Sequence, residues 1–179
     1  MMCMETDPRY PIGKFSHPEK LSGAERAAAI AVLDALPENL RAAVSGLQEA
    51  QLETPYRAGG WTLRQVVHHL ADSNGLCCDR MRWALTEDWP TILPADEDAW
   101  ARLEDARTQP VEVSLELLDP LHRRWVALLR SLTEAQWTQR GFVHPRMGRT
   151  SVEQALALYA WHNRHHMAHI TQLRQSQGW

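Results

Sequence analysis

Apolar residues recur every three or four positions in four long stretches of this chain, and proline-rich or polar segments separate them. Ser22-Gly23-Ala24-Glu25 has the form of a capping box and opens a run of Ala, Ile, Val and Leu that predicts a helix to about Leu36. Pro37 is expected to break or bend it and to start a second helical piece ending near Gln48. Thr62-Leu63-Arg64-Gln65, after Gly59-Gly60, is another capping box, and its helix should reach about Leu85. Residues 86–109 carry Pro90, Pro94 and many acids, and predict a long loop with a short helix around Glu97–Glu104. A third long helix is expected over about Val111–Leu132, kinked at Pro120. Thr133 starts a short helix. Residues 140–150, with Gly141, Pro145 and Gly148, suggest a turn flanked by at most two short strands. Ser151-Val152-Glu153-Gln154 caps a last helix running to about Gln175.

This pattern predicts an all-α protein, an up-and-down four-helix bundle with minor short helices or strands in the loops. The 179 residues fit one domain, with residues 1–20 as an irregular N-terminal arm. No internal repeat and no glycine-rich phosphate loop is present.

Composition narrows the function classes. A net charge of −3 and a pI near 6.3 argue against a nucleic-acid binder, which carries a basic face. No apolar run approaches the ~20 residues of a membrane span. Three cysteines, Cys3 and the adjacent Cys77 and Cys78, make a poor disulfide framework and read as reduced thiols. Met1–Asp7 lacks the order of a signal peptide, so the cytoplasm is the expected compartment.

The histidines change the picture most. Four of the nine crowd one helix: His162, His165, His166 and His169. Two spacings of four exist, 162/166 and 165/169, and either puts two imidazoles a turn apart on one face. A helical wheel separates them. With His162 at zero, Val152, Ala155, Leu158, Tyr159, Ile170 and Leu173 centre near about +35° at ~100° per residue. His162 and His166 fall near about 0° and +40°, in the middle of that stripe, with His169 near −20° and His165 at its edge near −60°. The central pair is therefore 162/166. Burying two imidazoles in a bundle core is costly unless their nitrogens are satisfied, and one metal ion satisfies both. On the second long helix His69 borders the apolar face and His68 lies on the far side. His69 is thus the better third ligand, giving three nitrogens and an open coordination position, the form of catalytic zinc sites. Asp72, one turn on, is a candidate acceptor orienting His69. Cys77 reads as a small core residue. Trp61, Trp83, Trp125 and Trp161 read as core or interface residues, with Trp83 and Leu76 flanking the entrance.

Two segments, Gly59-Gly60-Trp61-Thr62-Leu63-Arg64-Gln65-Val66-Val67-His68-His69-Leu70-Ala71-Asp72-Ser73 and Ala155–His162 continuing to Ile170, resemble the YfiT-like branch of the DinB-like superfamily. Tyr10-Pro11-Ile12-Gly13, Thr54-Pro55-Tyr56-Arg57, His122 with Trp125, and Gly178-Trp179 are supporting matches. The resemblance implies a four-helix bundle, usually a homodimer, holding one divalent metal per chain, zinc or nickel, through three histidines. Carried onto this chain these are His69, His162 and His166. Cys77-Cys78 and Pro120 depart from the nearest pattern. The branch was first labelled as metal-dependent hydrolases. Its better-supported activity is S-transfer of the thiol bacillithiol to an electrophile, and related bundles use mycothiol or glutathione.

The first expectation is therefore a transferase that activates a bacillithiol-like thiol for attack on an electrophilic carbon, such as an epoxide or a halide-bearing carbon. Because bacillithiol carries carboxylates, Arg64, Arg80 and Arg164 are candidate contacts, and His144 is a candidate acid or contact in the pocket. The alternative is hydrolysis through metal-activated water. Asn163 after His162 means that the His-Glu-x-x-His protease motif is absent. A third alternative, from another class, is a noncatalytic metal-binding stress-response bundle. A closed structural site normally has a fourth protein ligand, and none is evident.

Overall fold

The computed structural model describes residues 7–179; Cys3 and most of the segment read for a signal peptide lie outside the described residues. Four long helices form: α1 (Gly23–Val44), α3 (Leu63–Thr86), α6 (Val111–Arg130) and α8 (Val152–Gln177). The short elements between them are α2 (Glu49–Leu52), α4 (Glu97–Ala101), α5 (Glu104–Thr108), α7 (Glu134–Gln139), β1 (Gly141–His144) and β2 (Gly148–Ser151). The two strands pair antiparallel, Gly141 opposite Ser151 and His144 opposite Gly148. The expected capping boxes form at Ser22, Thr62 and Ser151, and a further one starts α7 at Thr133; in each, the side chain accepts the amide three residues on. Among the described residues no helix is long and apolar enough to cross a membrane.

The helices form the expected bundle, and their packing order refines it. α1 and α3 each lie along α6 and α8, so these two sequence neighbours face each other across the diagonal. The link between them, residues 45–62, contains α2 and crosses the end of the bundle. Arg64 holds that link down, bonding Glu49 and Glu53 as well as the Gln109 carbonyl at 2.8 Å.

Pro37 does not divide α1 into two pieces; the helix runs through it. A proline removes the amide that would bond the carbonyl four residues back, here that of Leu33. His122 of α6, 1% exposed, supplies the missing donor, with Nδ1 2.7 Å from the Leu33 oxygen. Pro120 likewise lies within a continuous α6, on its exposed side, where water reaches the Glu116 carbonyl that it frees.

The apolar core has two parts. Trp125, Phe142, Leu156, Tyr159, Cys77 and Met81 centre one; Leu40, Leu63, Leu70, Leu118 and Ile170 belong to the other. Along α8 the first part ends at Ala160 and the second resumes at Ile170. Along α3 the second ends at Ala71 and the first begins at Cys77. The intervals hold polar side chains, and they meet.

Candidate metal centre

The centre of this polar layer is an amide pair. Asn74 of α3 donates to Asn163 of α8 at 2.9 Å, and Asn163 donates back at 3.0 Å. Both residues are about as buried as the leucines around them, at 2% and 1%. Two reciprocal bonds allow one relative height of the helices, because a slip of one residue leaves both amide oxygens and the Asn163 nitrogen unpaired, while the Asn74 nitrogen keeps its bond to the Leu70 carbonyl at 2.7 Å. That height sets His162, next to Asn163, against His69, five residues before Asn74.

The two imidazoles present Nε2 to Nε2 at 3.1 Å. His166, one turn beyond His162, completes a group whose ligand atoms all lie within 4.8 Å of one another. Its ring lies 4.6 Å from that of His69 and 4.5 Å from that of His162, edge-on to both. Burial drives the basicity of all three down, and the neighbouring imidazoles add to it: His162 is lowered to about 4, and His69 and His166 fall well below the usual range. The group is therefore neutral at pH 7, with lone pairs available. Two nitrogens each ~2.0–2.1 Å from one ion lie about 3–3.4 Å apart, so the close Nε2 pair fits one edge of a coordination polyhedron. The donor set suits a borderline divalent ion such as zinc or nickel.

The sequence neighbour His68 does something else. It is buried between α3 and α6, where Nδ1 lies 2.7 Å from Ser114 Oγ and Nε2 3.0 Å from the Gln109 carbonyl. Its place on the far side of the wheel was read correctly, and that side is covered by α6.

One side of the trio opens into a pocket of about 290 Å³ lined mainly by apolar side chains, among them Leu76, Phe142, Leu158 and Tyr159. Arg80, His144 and Arg146 also line it, as does the exposed Glu97. Arg80 donates to the Leu93 carbonyl at 2.7 Å, while its Nε is buried without a partner among the described residues. The Tyr159 hydroxyl is also buried without one. His144 accepts the Arg146 amide at Nδ1, 3.1 Å away, which leaves its proton on Nε2. Burial, then Arg80 and Arg146, lowers its basicity, so it too is neutral. Cys77 lines the pocket, but burial pushes its thiol up to about 12, too high to supply a thiolate.

Several candidates fall elsewhere. Asp72 is exposed and makes no hydrogen bond to His69. Arg164 lies on the other face of α8, against α1 and the N-terminal segment, away from this pocket. Arg64 is spent on the α2 clamp. Trp83 is exposed and lines no part of the pocket, whereas Leu76 does. Trp125 is core, and Trp61 and Trp161 are half-buried beside the histidines. The sequence reading missed the Asn74–Asn163 pair. The available signal was two amides placed where apolar residues are due on both helices.

A model of the DinB superfamily matches residues 32–170, most of the chain. The chain belongs to the DinB superfamily. Within it, the chain is 48% identical over 171 residues to "Putative metal-dependent hydrolase YfiT" of Bacillus subtilis, covering 95% of this chain and 96% of that protein. It is equally similar, at 48% over 171 residues and 96% of both chains, to a Geobacillus kaustophilus protein with the same functional description. The solved structure described as "YfiT from Bacillus subtilis is a probable metal-dependent hydrolase with an unusual four-helix bundle topology" superposes with a TM-score of 0.93. That match has 47% identity and covers 97% of this chain and 99% of the other. A metal-dependent role for this DinB superfamily member accords with those names and with the histidine group.

Proposed function

We propose that this protein is a divalent-metal-dependent transferase that moves a low-molecular-weight, bacillithiol-like thiol onto an electrophilic small molecule. His69, His162 and His166 hold one zinc or nickel ion. When bound, the ion supplies Lewis acidity, lowering the pKa of a thiol or water that coordinates it. The reading extends, on family resemblance, to a single-domain cytoplasmic homodimer.

The observation that carries the reading is the character of the pocket beside the trio. It is apolar at its walls and cationic at Arg80 and Arg146, and among the described residues the sole carboxylate lining it is the exposed Glu97. Water-based hydrolysis commonly uses a carboxylate as base, and none is buried beside these imidazoles among the described residues. Arg80, which lines the pocket, suits a carboxylate of the thiol. The apolar walls exclude water and hold the electrophile. In the transfer the thiol gives up its proton to solvent, and sulfur bonds the electrophilic carbon as the bond to the leaving atom breaks and its electron pair departs with that atom. His144 offers its Nε2–H to that developing anion.

The names of the relatives favour a second reading, a metal-dependent hydrolase using the same centre. One set of measurements separates the two. Metal content by mass spectrometry should give about one ion per chain, lost in His166→Ala. S-transfer should then appear with bacillithiol or glutathione and an epoxide or haloalkane, and vanish with the metal. Hydrolysis of esters or amides without thiol dependence would replace the transferase reading. No metal, even after reconstitution, would overturn both.

A further inference from the structure

His169 lies almost one turn beyond His166 on α8, is 3% exposed, and has no part in the reading above. Its Nδ1 is 3.4 Å from the Nδ1 of His166. An imidazole carries its two nitrogens on opposite flanks, and a ligating one is neutral, with its single proton on the nitrogen away from the ion. Since Nδ1 of His166 faces His169, Nε2 is the atom it has for the trio, as for His69 and His162. The His166 proton then belongs on Nδ1, where His169 Nδ1 is the acceptor within reach. For His169 to accept there, its own proton must sit on Nε2. That atom is buried with no hydrogen-bond partner among the described residues.

The His169 ring is also held on its faces. Tyr56 stacks on it at 3.9 Å with 21° between planes, and His165 meets it edge-on at 4.4 Å. Tyr56 belongs to the tight turn before α3, where a side chain at Gly60 would lie 2.8 Å from Arg57 and 3.1 Å from the Tyr56 ring. The same turn lays Trp61 parallel to His166, 6.0 Å away. A ring clamped this way serves to orient a neighbour.

We propose that His169 is a positioning residue: it accepts the Nδ1–H of His166 and fixes the tautomer and orientation in which His166 Nε2 faces His69 and His162. The proposal rests on the three-histidine reading given above. A different use of the same side chains is a second ion at His165, His166 and His169, whose ligand atoms also lie within 4.8 Å of one another. It would require His166 to lose both ring protons, which the hydrogen bond does not.

The test uses the full-length protein, with Co(II) as the probe. Affinity is read by competition with a chromophoric chelator, and coordination by the visible absorption of the bound ion. His169→Leu removes the acceptor and should weaken binding about 10–100-fold and shift the Co(II) bands. His169→Asn, whose Oδ1 replaces Nδ1, should recover most of both; the metal-free thermal midpoints of the two variants should agree. If the Leu variant does not fold, His169→Ala takes its place. Wild-type affinity and spectrum in the variant without an acceptor would overturn the proposal, as would an Asn variant no better than it. A second equivalent of Co(II) on wild-type protein, lost in both variants, would replace the proposal with a second ion. Absence of any binding to wild-type protein would overturn the three-histidine reading as well.

Discussion

His68 and His69 are adjacent, equally buried and chemically identical, yet they stand in opposite situations. The α3–α6 interface gives His68 a hydroxyl and a carbonyl, one partner for each ring nitrogen. The α3–α8 interface gives His69 Nε2 only another imidazole. A buried polar group without a partner costs about 1–3 kcal/mol, so a fold that keeps several in one place needs something to compensate them. The difference teaches that histidine content and burial do not mark a ligand. What marks it is the absence of protein partners around a convergent set of lone pairs. His122 falls between them: its Nδ1 is committed to the Leu33 carbonyl, while its Nε2 is buried without a partner among the described residues but converges on no other lone pair.

The largest expected effect separates the two neighbours directly. His69→Ala should weaken divalent-metal binding at least about 100-fold, given the several kcal/mol that one ligand contributes, and leave the metal-free protein folded. His68→Ala should keep one ion per chain and instead destabilise the fold by about 2–3 kcal/mol, from the cavity and the orphaned Ser114 and Gln109 groups. Metal titration beside chemical denaturation of both variants reads this contrast. The reverse pattern, metal lost through His68, would break the comparison.

A second prediction concerns the layer in which His69 sits. Asn163→Leu should cost about 2–3 kcal/mol, because it leaves Asn74 buried without its amide partner. It should also weaken metal binding, because the helix height that brings His69 to His162 is no longer specified. Asn74→Leu combined with Asn163→Leu removes both polar groups and should recover part of the stability while metal binding stays weak. If stability and metal binding recover together, the pair contributes hydrogen-bond energy alone and sets no register.

Much of this was legible in the sequence for identifiable reasons. Capping boxes at residues 22, 62 and 151 act locally, so they could be read locally, and they fixed the helix starts to within a residue. The wheel placed His162 and His166 inward because a single helix determines it. The packing order was not legible, since which helices meet depends on links whose path no short motif dictates. Arg64 and Arg164 were misplaced for the same reason: their surroundings come from α2 and α1, distant in sequence. Pro37 misled because its cost is met from another helix.

A third prediction extends the comparison to acid. Burial lowers the basicity of His122 from its ordinary value of 6.5 to about 4. Between those pH values the unfolded chain takes up a proton that folded His122 refuses, so stability falls as pH drops from 6.5 toward 4 and levels below. From pH 7 to pH 5 this group alone should cost about 2 kcal/mol. Denaturation of the metal-free protein at the two pH values should show a slope that His122→Leu reduces by that amount. An unchanged slope would mean that His122 is not buried as a neutral ring.

The smallest effect tests why His122 is needed. Its Nδ1–H replaces the amide that Pro37 removed from α1, so the two residues should be energetically coupled although they lie on different helices. His122→Leu leaves the Leu33 carbonyl buried without a donor; in a Pro37→Ala background the alanine amide can return to that carbonyl. A double-mutant cycle should therefore give a coupling of about 1 kcal/mol, with His122→Leu costing less when residue 37 is alanine. Additive costs would show that the helix leaves that carbonyl satisfied some other way. His122 would then be a buried histidine with neither of its nitrogens committed, and the distinction between satisfied and ligating histidines would rest on His68 alone.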